Sequence, residues 1–310
     1  MDMSGHIELP DGALDKVVAA LRASSHPELA AGELSLLGAG MDSLALRLDH
    51  DGETYVLRCP FGPDGAEGIA REAAVLPELA ATLTLPIPRF LLTAPNPLGP
   101  GQFCLYPAVP GESLSEAEWL RRGLPDSAVI VGQIAEFLTQ SHAFPVSRAE
   151  QLGVEIRDMR TDFTEDLDLV RDRVLPLLAP ASARELERSW TNYLGDDRNF
   201  DYRPTLTHAD ISPDHLLVTG DRISGVIDFG DLTIGDPDYD LVYLWTDLGP
   251  DFVAKVRRHR GLPLDDRLSA KLGFWAKADM TIDVLHGLEN AMPEFTEQSL
   301  QNLAEVLERS

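Results

Sequence analysis

Residues 206–245, LTHADISPDHLLVTGDRISGVIDFGDLTIGDPDYDLVYLW, constrain the fold more than any other part of this chain. A polar turn, His208-Ala209-Asp210, is followed five residues later by His215, and then by two short apolar runs, Leu216–Val218 and Ile223–Ile227. Apolar runs flanking Thr219-Gly220-Asp221-Arg222 predict a β-hairpin. The second run ends at Asp228, directly before Phe229-Gly230. A hairpin is a stiff spacer, so it would hold the Asp210 and Asp228 carboxylates a set distance apart. Phosphoryl transfer uses two such groups, one to take a proton from an acceptor hydroxyl and one to hold a metal ion spanning the phosphates.

The rest of the chain is organised around that segment. Residues 12–23 predict a short amphipathic helix, with Leu14, Val17, Val18 and Leu21 on one face. Three strands are expected at Leu34–Leu37, Leu44–Leu48 and Thr54–Cys59, separated by Gly-rich and Asp-Gly breaks. A helix follows over about 65–81, and then two more strands punctuated by prolines, the last at Phe103–Tyr106. Beyond Pro107-Ala108-Val109-Pro110-Gly111 helical periodicity takes over, as in Ile130, Ile134, Phe137 and Leu138, and in Phe163, Leu167, Val170, Val174 and Leu177. The expected architecture is α+β: a β-rich lobe over 1–106, a hinge over 107–111 and a mainly helical lobe over 112–310.

The pattern H-x-D-x-x-x-x-[N/H] followed by I-D-F-G-D resembles the catalytic and metal-binding segments of aminoglycoside and macrolide phosphotransferases, which share the bilobal protein-kinase fold. The resemblance implies Asp210 as the base, His208 as the residue bracing its loop, and Asp228 with His215 as ligands of Mg2+. Most of that family has Asn at position 215; the aminoglycoside 2''-phosphotransferases and several macrolide kinases resemble this chain in using His. Magnesium prefers oxygen ligands to imidazole. The run Leu37-Gly38-Ala39-Gly40-Met41-Asp42-Ser43 resembles the nucleotide loop of the 2''-phosphotransferases. It implies that Gly38, Gly40 and Ser43 face the phosphates of GTP or ATP. Arg58 occupies the place of the phosphate-binding lysine of kinases, with Glu72 as its helix partner, although a surface ion pair would give the same two residues. Arg offers a fork where Lys offers a point charge. At the hinge, Tyr106 resembles members that favour guanine nucleotides. Prolines at 107 and 110 lack amide donors, which leaves Cys104, Leu105, Ala108 and Val109 to present backbone groups to the base.

Composition narrows the partners. With 26 Lys and Arg against 51 Asp and Glu, the chain carries a formal net charge of −25, which disfavours nucleic acid and anionic membranes. The acidity is spread along the chain, as solubility or a salty habitat would also produce. Two cysteines, Cys59 and Cys104, lie in apolar runs without metal-ligand spacing. The first residues lack the basic start and apolar core of a secretory signal. A monomeric cytoplasmic protein is expected. Asp238 and Asp247 after the hairpin, and Trp275, Asp279 and Asp283 on a later helix, would suit a small cationic antibiotic with several ammonium groups. An aminoglycoside kinase conferring resistance is therefore the leading expectation. A macrolide 2'-phosphotransferase, a metabolic small-molecule kinase and a non-catalytic nucleotide-binding pseudokinase are the alternatives.

Overall fold

The computed structural model describes residue 9, residues 12–40 and residues 43–308. Its elements run α1 (Ala13–Arg22), β1 (Glu33–Ala39), β2 (Ser43–His50), β3 (Glu53–Pro60), α2 (Pro63–Leu79), β4 (Leu92–Pro95), β5 (Gln102–Pro107), α3 (Glu116–Arg121), α4 (Ala128–His142), α5 (Val146–Gln151), α6 (Met159–Leu169), α7 (Pro180–Gly195), β6 (Thr205–Thr207), β7 (Leu216–Thr219), β8 (Arg222–Val226), β9 (Thr233–Gly235), α8 (Val242–His259), α9 (Asp266–Glu289) and α10 (Pro293–Glu308). A five-stranded antiparallel sheet, in the order β1-β2-β3-β5-β4, is followed by a mainly helical body. This is the kinase-like α+β architecture that the sequence predicts.

Period-two patterning builds the sheet. Leu44, Leu46 and Leu48 alternate along β2 and are buried, and α1 covers them with Val17 and Leu21. Val18, placed on the same apolar face by the sequence, is only half-buried; Ala13 replaces it, in step with the four-residue spacing. On the other side α2 packs Ile69 against Cys104 and Tyr106. Both cysteines are buried free thiols. No helix among the described residues is long and apolar enough to cross a membrane.

In the helical part, α4 buries Ile130, Ile134, Phe137 and Leu138. Its Gln133 side chain clamps the hairpin by bonding both peptide groups of Ile223. The periodicity read through Leu177 stops early. α6 gives way to a wide turn over Val170–Val174, Pro176 follows, and Leu177 is left exposed. α8 breaks at Gly249 (φ 83°), just before Pro250.

The segment 107–111 is fastened at both ends. Ala108 N–H donates to the Thr54 carbonyl (2.9 Å), and Glu112 pairs with Val218 through two backbone bonds, so the chain joins the β7–β8 hairpin as an added strand. Two glycines permit this approach. Gly111 (φ 127°) has no room for a Cβ, which would collide with Ser224 Oγ and lie 2.9 Å from Leu217 Cβ. Gly225 likewise leaves space for the Val109 side chain. Gly111→Ala and Gly225→Ala are each expected to lower stability by about 1–3 kcal/mol. Gly273→Ala, in α9 with open space around it, should be neutral or slightly stabilising. Urea unfolding of the three variants checks this; a Gly111→Ala protein as stable as the parent would contradict the interlock.

Candidate active site

Two non-glycine residues with positive φ frame the site: Ala209 (67°), which precedes Asp210, and Asp228 (62°). Side chains rarely adopt this region unless the surroundings hold them there. At Ala209 the restraint is visible, because its N–H donates to the Asp240 carboxylate at 2.8 Å. His208, fully buried, lies against Phe229 (4.4 Å between ring centres) and edge-on to Phe137. Its Nε2 donates to the Ile227 carbonyl (3.1 Å), and its Nδ1 accepts from Asp210 N–H (3.3 Å). Burial holds this imidazole neutral, with a pKa pushed down to about 4. His208 therefore ties the turn of Asp210 to Ile227, the residue before Asp228.

His215 lies between the two carboxylates. Its Nδ1 is 2.9 Å from the Asp210 carbonyl and 3.2 Å from Asp210 Oδ2, while Nε2 is 3.7 Å from Asp228 Oδ2. Burial pushes the Asp210 carboxyl up to about 7, against the pull of His215. For Asp228 burial also acts upward, but Arg58 and His215 outweigh it and hold the carboxyl below its ordinary value. The His215 imidazole is raised: burial opposes its charge, and the carboxylates of Asp210 and Asp228 overrule that.

Across the cleft, Arg58 joins the sheet to this centre. Its Nη1 reaches both Glu72 oxygens (2.8 and 3.0 Å), and its Nη2 lies 3.3 Å from Asp228 Oδ1. Burial acts on the two partners in opposite ways. It pushes the Glu72 carboxyl up to about 7 against Arg58, whereas the carboxylates hold the guanidinium well above its ordinary value despite burial. The two-pronged contact is that of an ion pair, and Glu72 is ionised within it. A second arginine, Arg71 of α2, donates to the Gly230 carbonyl at 2.5 Å.

Other predicted residues fall differently. Among the described residues nothing lies within 4 Å of where a Cβ on Gly38 or Gly40 would be, so no described neighbour accounts for glycine at either position. Gly40 N–H bonds the Ser43 carbonyl across the tip of β1 and β2; Met41 and Asp42 lie outside the described residues. Tyr106 is buried and stacks on Phe90 (5.6 Å). Cys104 corrects the expectation of a backbone contact to a base. It sits between Arg58 of β3 and Thr93 of β4, in the body of the sheet, where the ladder takes its peptide groups. Ala108 has likewise given its N–H to Thr54, and Leu105 its carbonyl to Leu91 N–H.

Trp275 is also corrected. It is 0% exposed, bonds the Tyr193 hydroxyl through Nε1, and has the Lys271 ammonium 4.8 Å from its ring centre, so it is a core residue here and presents no open face. Asp238 is already held by Arg257 (2.7 Å) and Lys271 (3.4 Å). Asp236 is paired with Lys271 as well. Asp247 keeps company with Glu116 and Asp214; burial, then these like charges, pushes it up to about 6. Asp279 is the member of the group closest in character to a site residue. Its Oδ1 accepts from the Tyr239 hydroxyl (3.0 Å), its Oδ2 is buried without a hydrogen-bond partner among the described residues, and burial pushes it up to about 7. Asp283 and Asp210 are near enough to raise it further, and Tyr243 feels both Asp279 and Asp210.

Sequence reasoning missed Tyr239, Tyr243, Arg157 and Asp231. Arg157, whose guanidinium lies 5.1 Å from the Tyr239 ring centre, carried no local signal, whereas Asp231 stood in plain view inside the I-D-F-G-D run. Among the described residues no cluster of three or more His, Cys, Asp or Glu side chains forms a self-sufficient metal site. The half-exposed Asp228 carboxylate with one imidazole beside it nevertheless fits a hard cation that brings phosphate and water oxygens as its other ligands. Such a cation would compete with the proton on His215.

Comparison with known proteins agrees with this geometry. The model of the phosphotransferase enzyme family matches residues 33–270. The uncharacterized protein YcbJ of Bacillus subtilis (strain 168) is 25% identical over 70% of this chain and 71% of its own length. The GDP and kanamycin complex of APH(2'')-IIIa superposes with a TM-score of 0.88 at 27% identity, covering 95% of this chain and 99% of that one. A macrolide 2'-phosphotransferase type I shares the fold, with a TM-score of 0.75 at 20% identity over 96% and 99% of the two chains.

The buried ion pair yields a test. Arg58→Met leaves Glu72 buried without its partner and should cost about 3–5 kcal/mol, whereas adding Glu72→Leu should restore at least ~2 kcal/mol of that loss. Denaturation of the two single variants and the double variant measures the coupling. Additive effects would mean that Arg58 and Glu72 do not act as a pair.

Proposed function

The chain belongs to the phosphotransferase enzyme family, and from that premise we propose that it transfers the γ-phosphoryl group of GTP or ATP to a hydroxyl of an aminoglycoside, as a 2''-phosphotransferase-like kinase conferring resistance. The observation that carries this reading is the convergence of Asp210, His215 and Asp228 within one hydrogen-bonding cluster, faced by Arg58 and Glu72.

In this reading Asp210 accepts the proton of the acceptor hydroxyl as its oxygen bonds to the γ-phosphorus and the bond to the bridging oxygen breaks. The elevated carboxyl of Asp210 suits a group that must both hold and release a proton near neutrality. Asp228 and His215 would hold Mg2+, which, when bound, offsets the charge on the phosphate oxygens. Arg58 would contact a phosphate, its guanidinium held through Nη1 by Glu72. Gly38 and Gly40, which no described residue crowds, would let the backbone approach the phosphates closely.

Support for an aminoglycoside comes from charge and likeness. Asp231 and Asp279 lie near enough to Asp210 for their charges to interact with it, Asp283 lies near Asp279, and the whole body carries −25. A polycation would find charge-assisted partners there. The kanamycin-bound APH(2'')-IIIa has the same fold over nearly the whole of both chains.

Incubation with GTP or ATP and a panel of aminoglycosides and macrolides should add about 80 Da to at least one aminoglycoside. Asp210→Asn should lower kcat by roughly 10²–10⁴-fold with nucleotide binding intact. Mass gain on macrolides alone would reject the acceptor class. A variant retaining more than half of the parent turnover would reject Asp210 as the base.

A further inference from the structure

Asp240 is a fully buried carboxylate, and a buried charge needs donors on its oxygens. Ala209 N–H supplies one to Oδ1 at 2.8 Å, and His142 Nε2 lies 2.8 Å from Oδ2. A carboxylate only accepts, so the His142 proton resides on Nε2. The other ring nitrogen, Nδ1, lies 3.2 Å from Arg260 Nη2. A guanidinium has donors and no acceptor, so Nδ1 must offer its lone pair. The ring is therefore neutral and in a single tautomer. Three elements meet in this relay: Arg260 from the end of α8, His142 from the end of α4, and Asp240 from the turn that follows β9.

We propose that Arg260 is a positioning residue, which fixes the His142 tautomer and through it holds Asp240 under the Ala209–Asp210 turn. The inference rests on the reading of Asp210 as base. Arg260 does two things that a neutral residue could not do. Its donor occupies the Nδ1 lone pair, which keeps that nitrogen unprotonated and leaves Nε2, the nitrogen facing Asp240, to carry the single ring proton. Its charge opposes a second proton on the ring while still offsetting the buried Asp240 carboxylate on the far side of the imidazole. The neighbouring acids of the same run have direct cations, Lys271 for Asp236 and Arg257 with Lys271 for Asp238. Asp240 alone of the three is served through an imidazole. A direct Lys or Arg contact would place a flexible, multi-donor group on Oδ2, whereas the imidazole offers one donor in one direction. That leaves Oδ1 aimed at the Ala209 amide, where a positive φ has to be maintained.

Nitrogen-resolved NMR of the imidazoles, with His142→Gln to assign the signal, reads the state directly. In the parent protein His142 should show a protonated Nε2 and an unprotonated Nδ1. Arg260→Met should abolish that single state by freeing Nδ1 to take a second proton, giving an imidazolium whose Nε2 still faces Asp240. It should also lower kcat by about tenfold or more, with KM for nucleotide and acceptor within about twofold. Arg260→Lys, which keeps a cationic donor, should recover most of both losses. An imidazolium or an Nδ1-protonated ring in the parent protein would overturn the proposal, as would an Arg260→Met variant with unchanged kcat. If Asp210→Asn were also fully active, the assignment of the base would fall, while the tautomer result would stand on its own.

Discussion

One buried carboxylate sets the geometry of the centre. Asp240 accepts from the amide of Ala209, a residue in a backbone region that alanine avoids, and the next residue is Asp210. Released from that bond, the turn would relax toward negative φ and swing the Asp210 carboxylate away from His215. The second positive φ, at Asp228, serves the other half of the site. Asp tolerates this region better than most side chains. The His208 ring joins the two turns, bonding the Asp210 amide with one nitrogen and the Ile227 carbonyl with the other. Strain at both positions is thus held by buried polar contacts rather than by glycine.

The same economy appears between the lobes. Gly111 and Gly225 let segment 107–111 interlock with the β7–β8 hairpin, so the strap that joins sheet to helices is itself part of the support for Asp228. Arg58 crosses the cleft from β3 to Glu72 and Asp228. Nucleotide phosphates entering this cleft would meet an arginine whose orientation is already set, which lowers the entropic cost of engaging it. Phosphotransferase chemistry asks for positioned charge more than for covalent participation, and the fold supplies positioned charge.

Much of this was legible in the residues. The hairpin announced itself through two apolar runs around a Gly-Asp turn, and the Arg58–Glu72 pair through the resemblance to the phosphate-binding lysine of kinases and its helix partner. Local patterns survive folding because they are made of neighbours in the chain. What stayed hidden depends on contacts between distant segments. Asp238 looked like a free acid because its cations, Arg257 and Lys271, lie on later helices. Trp275 resembled an aromatic platform beside acids, yet the helical period that places it next to Phe274 also turns it into the interior against Tyr193 and Tyr239. Ala108 seemed to offer an amide until the fold brought Thr54 beside it. The partner of Asp240, His142, sits in a helix with no sequence feature linking the two.

The claim that Asp240 holds the base in place can be tested without any substrate, by amide hydrogen exchange at Ala209. A hydrogen bond to a buried carboxylate contributes about 1.5–3 kcal/mol, so Asp240→Leu should speed exchange at Ala209 roughly 10- to 100-fold relative to core amides of α4. Exchange at Ala209 that keeps pace with those core amides in both proteins would contradict the account.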